Sequence, residues 1–499
     1  MSQSMPLWRR PEPRALVIGI LFAGVLSGSY ALAAAQSDLL AAIAVVVTSC
    51  TVLSACVIVL VRAPADPLAS VRPSAFPLLY IFYAFVVPQL YMVATGNGIA
   101  SIARSTLSPV TVSVMCGFTL SALLGGAFVH AVSRPEALPP SAGALSPESR
   151  LTALRQRSVL TVAGRAGLAV ALAIRIVQIV TQGTVFDSVY GSNQLDFTAV
   201  TSLAVIGDVL IPVSALMVMH ANVARGRFPL SRLDGVLLAS VLIVSVVFLG
   251  SRAEAIPPAI IFVYYFGRSG RRIRWVWLIL GAVVVAMAFV AVSQFRSVQT
   301  GPGYPIVEEL LRQTATPQRL TYNVTTLVPS EHSFFYGSTY LVALEYMLPG
   351  PLSRALFGAI PATGTFVYRD LIHFDDPNQG FGFAMPTEAY LNFGLVGTAV
   401  VGAAVGALLV MTWRSAHVAS PRSTRFAPFV YPLLVSAIPY AMRSDLLAQL
   451  KNTVYPLALV FVLLAAAALA TRIAIRNHRI RLHPARGGQV RADRNSLRR

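Results

Sequence analysis

The chain has 499 residues, of which 56% are hydrophobic and only 12% are charged. Soluble globular proteins carry roughly 25% charged residues, so the composition excludes an ordinary soluble domain and indicates a membrane protein. The net charge of +19 does not indicate nucleic-acid binding, because the arginines lie in short connectors and at the two ends of the chain rather than along one face.

Apolar runs of about 20 residues, the length that crosses a hydrocarbon core of roughly 30 Å, recur along the sequence. They lie near residues 15–35, 38–61, 75–94, 109–132, 158–181, 199–222, 234–250, 254–267, 275–294, 384–411, 427–442 and 453–471. The run near 254–267 is short and opens with two prolines, which predicts a tilted or re-entrant helix. We therefore predict an all-α, polytopic transmembrane helix bundle of about 12 spans, with one large extracytoplasmic loop that contains short helices.

The distribution of positive charge predicts the orientation. With the N-terminus inside, most of the 39 basic residues fall in cytoplasmic segments, as the positive-inside rule requires. We expect a multi-pass protein of the bacterial cytoplasmic (inner) membrane with both termini cytoplasmic, its basic tail also contacting anionic lipids. The predicted regions are a cytoplasmic tail at 1–14, helices one to nine at 15–294, the extracytoplasmic loop at 295–383, helices ten to twelve at 384–471, and the basic cytoplasmic tail at 472–499.

The predicted loop at 295–383 is rich in glycine and proline, with short helical stretches expected at 306–315 and 339–348. Loops of this length in compact proteins are commonly lids or binding elements. Arginines are unusually frequent in this loop and in the neighbouring external turns: Arg252, Arg296, Arg312, Arg319, Arg354, Arg369 and Arg443.

Guanidinium groups form planar, two-pronged contacts with phosphate and stay charged. The arginines therefore predict a cationic pocket for an anionic group at the outer membrane face. The alternative is local pairing, of Arg252 with Glu254 and of Arg443 with Asp445. We take as candidate binding residues Arg252, Arg296, Arg312, Arg319, Arg443 and Asp445.

Three ionisable residues fall inside predicted spans: Arg165, Arg175 and Asp208. A charge at the bilayer centre costs on the order of 2.5–3.5 kcal/mol on insertion scales, so such residues face the bundle interior. Arg175 and Asp208 have similar predicted depths on consecutive helices, and a structural ion pair is favoured over a substrate contact. Arg165 lies nearer the cytoplasm, where its side chain can extend to the interface.

The candidate general bases are His332, His373, Glu345, Asp375, Asp376 and Glu388. Glu388 lies just inside the span after the loop, where a partly desolvated carboxylate is suited to take a proton from a hydroxyl. Its alternative role is to compensate a helix N-terminus. We expect no metal site, since His373, Asp375 and Asp376 lack a further histidine or cysteine nearby. The chain also lacks a Gly-Lys-Ser/Thr motif, so we expect no ATP hydrolysis.

Three stretches resemble the O-antigen polymerase family (Wzy-like oligosaccharide repeat-unit polymerases) and, more distantly, the O-antigen ligases. They are Phe-Leu-Gly-Ser-Arg at 248–252, Glu-Ala-Tyr-Leu-Asn-Phe-Gly-Leu-Val-Gly at 388–397, and Arg-Ser-Asp at 443–445. Many spans, a long late external loop and a few closing helices also match the family's layout.

The resemblance implies a membrane glycosyltransferase that polymerises oligosaccharide units carried on undecaprenyl pyrophosphate at the outer face of the membrane. It implies that Arg252 and Arg296 hold the pyrophosphate without a metal or other cofactor. The ligases' usual base is a histidine near the end of the long loop. Here Glu388 lies near that place and His373 lies upstream, so the identity of the base stays open.

The implied partners are the lipid-linked oligosaccharide, membrane lipids, and proteins that regulate chain length or flip the substrate. Two alternative functions are considered. A ligase would transfer finished glycan to another acceptor, and a transporter or flippase would carry lipid-linked sugars. The gathering of non-cytoplasmic charge at the outer face favours chemistry there over translocation.

Overall fold

A computed structural model of the chain describes residues 72–73, 75, 109–132, 147–182, 199–270, 306–348, 350–358, 363–372, 383–417, 426–441 and 443–482. Apart from Ala75, the predicted spans before residue 109 and near 275–294 lie outside these residues. Every regular element in the described ranges is helical: α1 Pro109–Val132, α2 Pro147–Gln182, α3 Ala199–Val223, α4 Arg232–Ile243, α5 Ile256–Arg268, α6 Ile306–Leu327, α7 Ser338–Glu345, α8 Gly350–Phe357, α9 Gly364–Leu371, α10 Met385–His417, α11 Ala427–Ala441 and α12 Leu446–Leu482.

Four helices of the described part are long and apolar enough to cross a membrane. They contribute the segments Arg157–Thr181, Leu203–Val223, Met385–His417 and Leu446–Leu469. Two apolar segments, Gly117–Val132 and Ala427–Ala441, are shorter. These helices confirm a helical, multi-pass membrane protein, while the total of about 12 spans stays a prediction.

The run near 254–267, predicted to form a short helix, does form a short helix. A five-residue π-helix at Val244–Phe248 ends the helical run that begins with α4, and a 3-10 turn at Arg252–Ala255 precedes α5. The 13 residues of α5 span only about 20 Å at 1.5 Å per residue, less than the hydrocarbon core.

Helix α3 lies at the centre of the bundle. Its segment from Ile211 to Met219 is apolar around most of its circumference, which is the pattern of a helix enclosed on all sides. Its side chains are buried against those of α2, α5 and α11, including Tyr264 and Tyr431. We call the two ends of the bundle the Glu388 end, where α10 and α12 begin, and the Asp234 end, where α3 finishes and α4 begins.

Helices α1 and α10 run in the same direction at very close range. Phe118 lies against Gly402, and Ala122 lies against Gly406, so contacts advance by four residues on both helices. This spacing is the small-residue pattern that lets membrane helices approach through their backbones. A β-carbon on Gly406 would lie 1.8 Å from the carbonyl oxygen of Ala122, so the two helices can pack this way only if that residue is glycine.

Gly406→Ala is therefore expected to destabilise the protein by about 1–3 kcal/mol, because the added methyl group forces α1 and α10 apart. Thermal unfolding of the detergent-purified protein measures the loss. Gly117→Ala is the matched control, since a β-carbon at Gly117 meets nothing within 4 Å. Equal melting temperatures for the two variants would contradict the close packing.

The Asp234 end is held by a buried carboxylate. Asp234 caps α4 together with Ser231, accepts a hydrogen bond from Asn222, and pairs with Arg165 at 2.7 Å. The sequence predicts that Arg165 extends to the interface. Its side chain is 37% exposed, and its guanidinium also ties α2 to α4, because a fully buried carboxylate needs a compensating charge.

The loop region contains helices with other limits than predicted. The first continues through Pro317 to Leu327, and the second is Ser338–Glu345. The helix continues beyond the proline, and the hydroxyl of Thr321 donates a hydrogen bond to the carbonyl of Pro317 at 2.7 Å. Loop residues such as Val324 pack with α1 and α10 in a second apolar core.

Candidate functional site

Helix α10 is broken beside its buried carboxylate. Gly394 has φ 65° and ψ −153°, a backbone region that is essentially restricted to glycine. A short first segment that carries Glu388 is thereby set off from the long remainder of the helix. The break lies within the stretch 388–397 on which the family resemblance rests.

The break frees backbone carbonyl groups, and the loop satisfies them. The amide of Phe335 donates to the carbonyl of Leu391 at 3.1 Å, and that of Tyr336 donates to Asn392 at 3.0 Å. The amide of Gly337 donates to the side-chain oxygen of Asn392 at 2.9 Å. A freed carbonyl at membrane depth is tolerated only where protein supplies a donor, so the loop is anchored to α10 at this point.

Glu388 is enclosed, with 1% of its surface exposed. One carboxylate oxygen accepts from the Thr339 hydroxyl at 2.9 Å, and the other accepts from the backbone amide of Leu446 at 2.6 Å. Asn392 also donates to Thr339, at 2.7 Å. A β-carbon on Gly364 would lie 3.0 Å from the carboxylate. Glu388 thus joins α7, α9, α10 and the start of α12.

Asp445 lies beside this carboxylate and caps α12. Its side chain accepts from the amide of Ala448 at 3.1 Å and from the Thr365 hydroxyl at 3.0 Å. Arg443, two residues earlier, is exposed. Among the described residues, no ion pair joins Arg443 to Asp445, whose contacts come from Ala448 and Thr365. Both carboxylates lie at the N-terminus of α12, where negative charge is favoured.

The environment of Glu388 also affects a neighbouring phenol. Burial raises the pKa of Tyr340 above its ordinary value, and the negative charge of Glu388 raises that pKa further. The hydroxyl of Tyr340 is buried and has no hydrogen-bond partner in the described part of the chain.

A second polar cluster lies at the same end. Arg175, 2% exposed, pairs with Asp208 and also with Glu254, the latter at 2.7 Å, and it donates to Gln178 at 2.6 Å. The predicted ion pair of Arg175 and Asp208 is confirmed. Glu254, considered as a partner of Arg252, contacts Arg175.

A cavity of about 200 Å³ opens beside this cluster. It lies between α3, the 252–255 turn, α11 and α12. Its polar lining comprises Asp208, Ser251, Glu254, Ser436, Tyr440 and Asn452. Asp208 keeps 45% of its side chain exposed, although it lies inside a candidate membrane span.

The remaining predicted site residues are placed as follows. Arg319 is exposed on α6. Arg252 and Arg312 lie in helical segments, but the structure describes only their backbones. Arg296 and His373 lie outside the described residues, as do Asp375 and Asp376. Among the described residues, no group of three histidine, cysteine, aspartate or glutamate side chains could hold a metal ion.

The sequence did not predict the pairing of Glu254 with Arg175 or the position of Tyr440 and Asn452 in the cavity wall. The sequence did contain a signal for Glu254. An acidic residue in a turn next to a short span requires a cation nearby when its carboxylate is buried. Tyr440 and Asn452 carry no signal, because single polar residues near helix ends are common.

A family model described as O-antigen polysaccharide polymerase Wzy matches residues 178–472, more than half of the chain. The chain belongs to the O-antigen polysaccharide polymerase Wzy family. No curated protein and no solved structure gives a significant match. The Wzy match spans the cavity and both polar clusters except Arg175, which lies three residues before the match begins. It assigns the chain to membrane-embedded polysaccharide biosynthesis, with glycosyltransferase-type activity on a lipid-linked oligosaccharide.

Proposed function

We propose that the protein joins oligosaccharide repeat units carried on undecaprenyl pyrophosphate, at the outer face of the bacterial cytoplasmic membrane. The observation that carries the proposal is the Wzy family match over residues 178–472. In this proposal the Glu388 end faces outward, which agrees with the predicted distribution of cytoplasmic arginines.

The arrangement of polar groups supports chemistry at one face. Arg175, Asp208, Glu254, Glu388 and Asp445 gather at the Glu388 end. Beyond Asp208, the buried side chains of the central helix α3 from Ile211 to Met219 are apolar except for Ser214. A flippase needs polar contacts along the path of its substrate, and the described core of α3 does not supply them there.

The proposed reaction moves a glycan between two lipid carriers. A hydroxyl of the incoming unit attacks the anomeric carbon of the growing chain, and the bond from that carbon to the pyrophosphate oxygen breaks. The electron pair of that bond leaves with the lipid pyrophosphate, whose charge Arg252 and Arg296 are proposed to stabilise, with Arg312, Arg319 and Arg443 as further candidates. No metal or cofactor is required, since guanidinium groups supply the positive charge.

A general base must accept the proton of the attacking hydroxyl. Glu388 and His373 are the predicted bases. A base must come within hydrogen-bond reach of the hydroxyl, and Glu388 is enclosed by Thr339 and Leu446 in this structure. Its catalytic role therefore stays a prediction, as do the proposed partners that regulate chain length or flip the substrate.

Arg252→Ala and Arg296→Ala are each expected to lower the rate of polymerisation by about 10²–10³, the cost of losing one donor to a developing charge. The measurement is the ladder formed by the purified protein from lipid-linked repeat units. Arg227→Ala is the control, since Arg227 is exposed at the Asp234 end. Wild-type ladders from both variants, at equal protein levels, would remove these arginines from the mechanism.

A further inference from the structure

The cavity at the Glu388 end has an excess of negative charge in its described lining. The carboxylates of Asp208 and Glu254 share the guanidinium of Arg175. Arg175 itself does not line the cavity, whereas both carboxylates do. Because one guanidinium compensates only one of the two carboxylates, the three groups keep a net negative charge, which disfavours the pyrophosphate of the substrate and favours a neutral donor of hydrogen bonds.

Two polar groups of the cavity wall are free to bind a ligand. Within the described residues, the hydroxyl of Tyr440 and the amide of Asn452 make no hydrogen bond, and both line the cavity. The phenol can donate and accept, and the amide offers two donors and an acceptor. Together with the half-exposed carboxylate of Asp208, they present complementary partners for vicinal hydroxyl groups.

The size and the remaining walls of the cavity restrict the ligand further. Its volume of about 200 Å³ lies below the roughly 300–1,000 Å³ of pockets for drug-sized ligands, so it accommodates one ring rather than an oligosaccharide. Pro257, Leu433 and Pro456 supply apolar surface, which suits the C–H face of a sugar ring.

We propose that this cavity is a subsite for one neutral sugar ring of the lipid-linked glycan. Asp208 accepts hydrogen bonds from its hydroxyl groups, and Tyr440 and Asn452 fix its orientation. The inference rests on the proposed function and adds to it a site for the glycan, separate from the arginines assigned to the pyrophosphate. Ser251 and Ala253 both line the cavity, so the backbone of Arg252 lies at its edge, next to the bound ring.

The test compares binding of two probes to the full-length protein in lipid nanodiscs. One probe is the lipid-linked repeat unit isolated from cells that lack the protein, and the other is undecaprenyl pyrophosphate without glycan. Tyr440→Phe and Asn452→Leu are each expected to weaken binding of the first probe about three- to tenfold, as one lost hydrogen bond does. Binding of the second probe should change less than twofold.

The control is Tyr265→Phe, which makes the same chemical change at the Asp234 end, where the hydroxyl contacts His220 and Pro428. It should leave both affinities unchanged. Equal weakening of both probes by the cavity variants, or no weakening of either, would overturn the subsite. A repeat unit on a non-cleavable phosphonate can act only as an acceptor, so it shows which substrate contributes the sugar ring in the cavity. If the cavity variants raise the KM for this acceptor, the ring belongs to the acceptor. If that KM is unchanged, the ring belongs to the donor.

The outcomes also separate the subsite from the function. A wild-type protein that binds the glycan through the cavity but forms no polymer would refute the proposed function alone. A protein that polymerises normally, and whose cavity variants bind both probes like wild type, would refute the subsite alone.

Discussion

Arg175→Leu is expected to destabilise the protein by about 3–5 kcal/mol, the cost of removing one partner from a buried ionic network. The guanidinium is 2% exposed and contacts Asp208, Glu254 and Gln178. Leucine fills part of the volume but leaves the carboxylates of Asp208 and Glu254 without their cation, and the side chain of Glu254 is almost fully buried. Thermal unfolding in detergent and the amount of folded protein in the membrane measure the effect.

The electrostatic cause of this destabilisation is tested by neutralising the two carboxylates that lose their cation. Asp208→Asn and Glu254→Gln, added to Arg175→Leu, should recover a large part of the lost stability, because neutral amides tolerate the loss of a cation. Arg227→Leu is the matched control at an exposed arginine and should have little effect. A melting temperature for Arg175→Leu equal to that of wild type would show that the network is not holding α2, α3 and the 252–255 turn together.

Glu388→Ala is expected to cost several kcal/mol. The substitution removes the acceptor for the Thr339 hydroxyl and for the backbone amide of Leu446, and each buried donor left without a partner costs about 1–3 kcal/mol. It also leaves a void where four elements meet. Loss of folded protein, measured by fluorescence-detected gel filtration, is the expected result. Unchanged folding would mean that the loop does not depend on this carboxylate.

Glu388→Gln separates the structural contribution from the predicted catalytic one. Glutamine has nearly the same shape and keeps one acceptor oxygen, so this variant should fold. A fall in polymerisation of about 10²–10⁴ in folded Glu388→Gln protein is the effect of losing a general base. Activity that merely follows the folded fraction would assign Glu388 to positioning the loop and leave His373 as the predicted base.

Some parts of this architecture are predictable from sequence because they depend on local patterns. The apolar runs of α2, α3 and α10 identify spans by length. The pairing of Arg175 with Asp208 follows from two opposite charges at similar depth on consecutive helices, since neither is tolerated alone in the bilayer.

Other parts depend on contacts between distant segments. The extension of α6 through Pro317 is supported by packing on α1 and α10, which no local pattern encodes. In the sequence, Gly394 is one glycine among several in α10 and does not indicate a break. The break is recognised only in the structure, where the amides of Phe335 and Tyr336 donate hydrogen bonds to the freed carbonyl groups. Likewise, the partners of Asp445 come from α9 and α12, so its nearest arginine in sequence is not its partner.

The most direct test of the account is the length profile of surface glycan in a strain that lacks the protein, complemented with wild type or with Arg252→Ala. The ladder should collapse to a single repeat unit in the deletion strain, and only the wild type should restore it. Full-length polymer stranded on its lipid carrier in the deletion strain, or repeat units retained at the cytoplasmic face, would contradict it and indicate a ligase or a flippase.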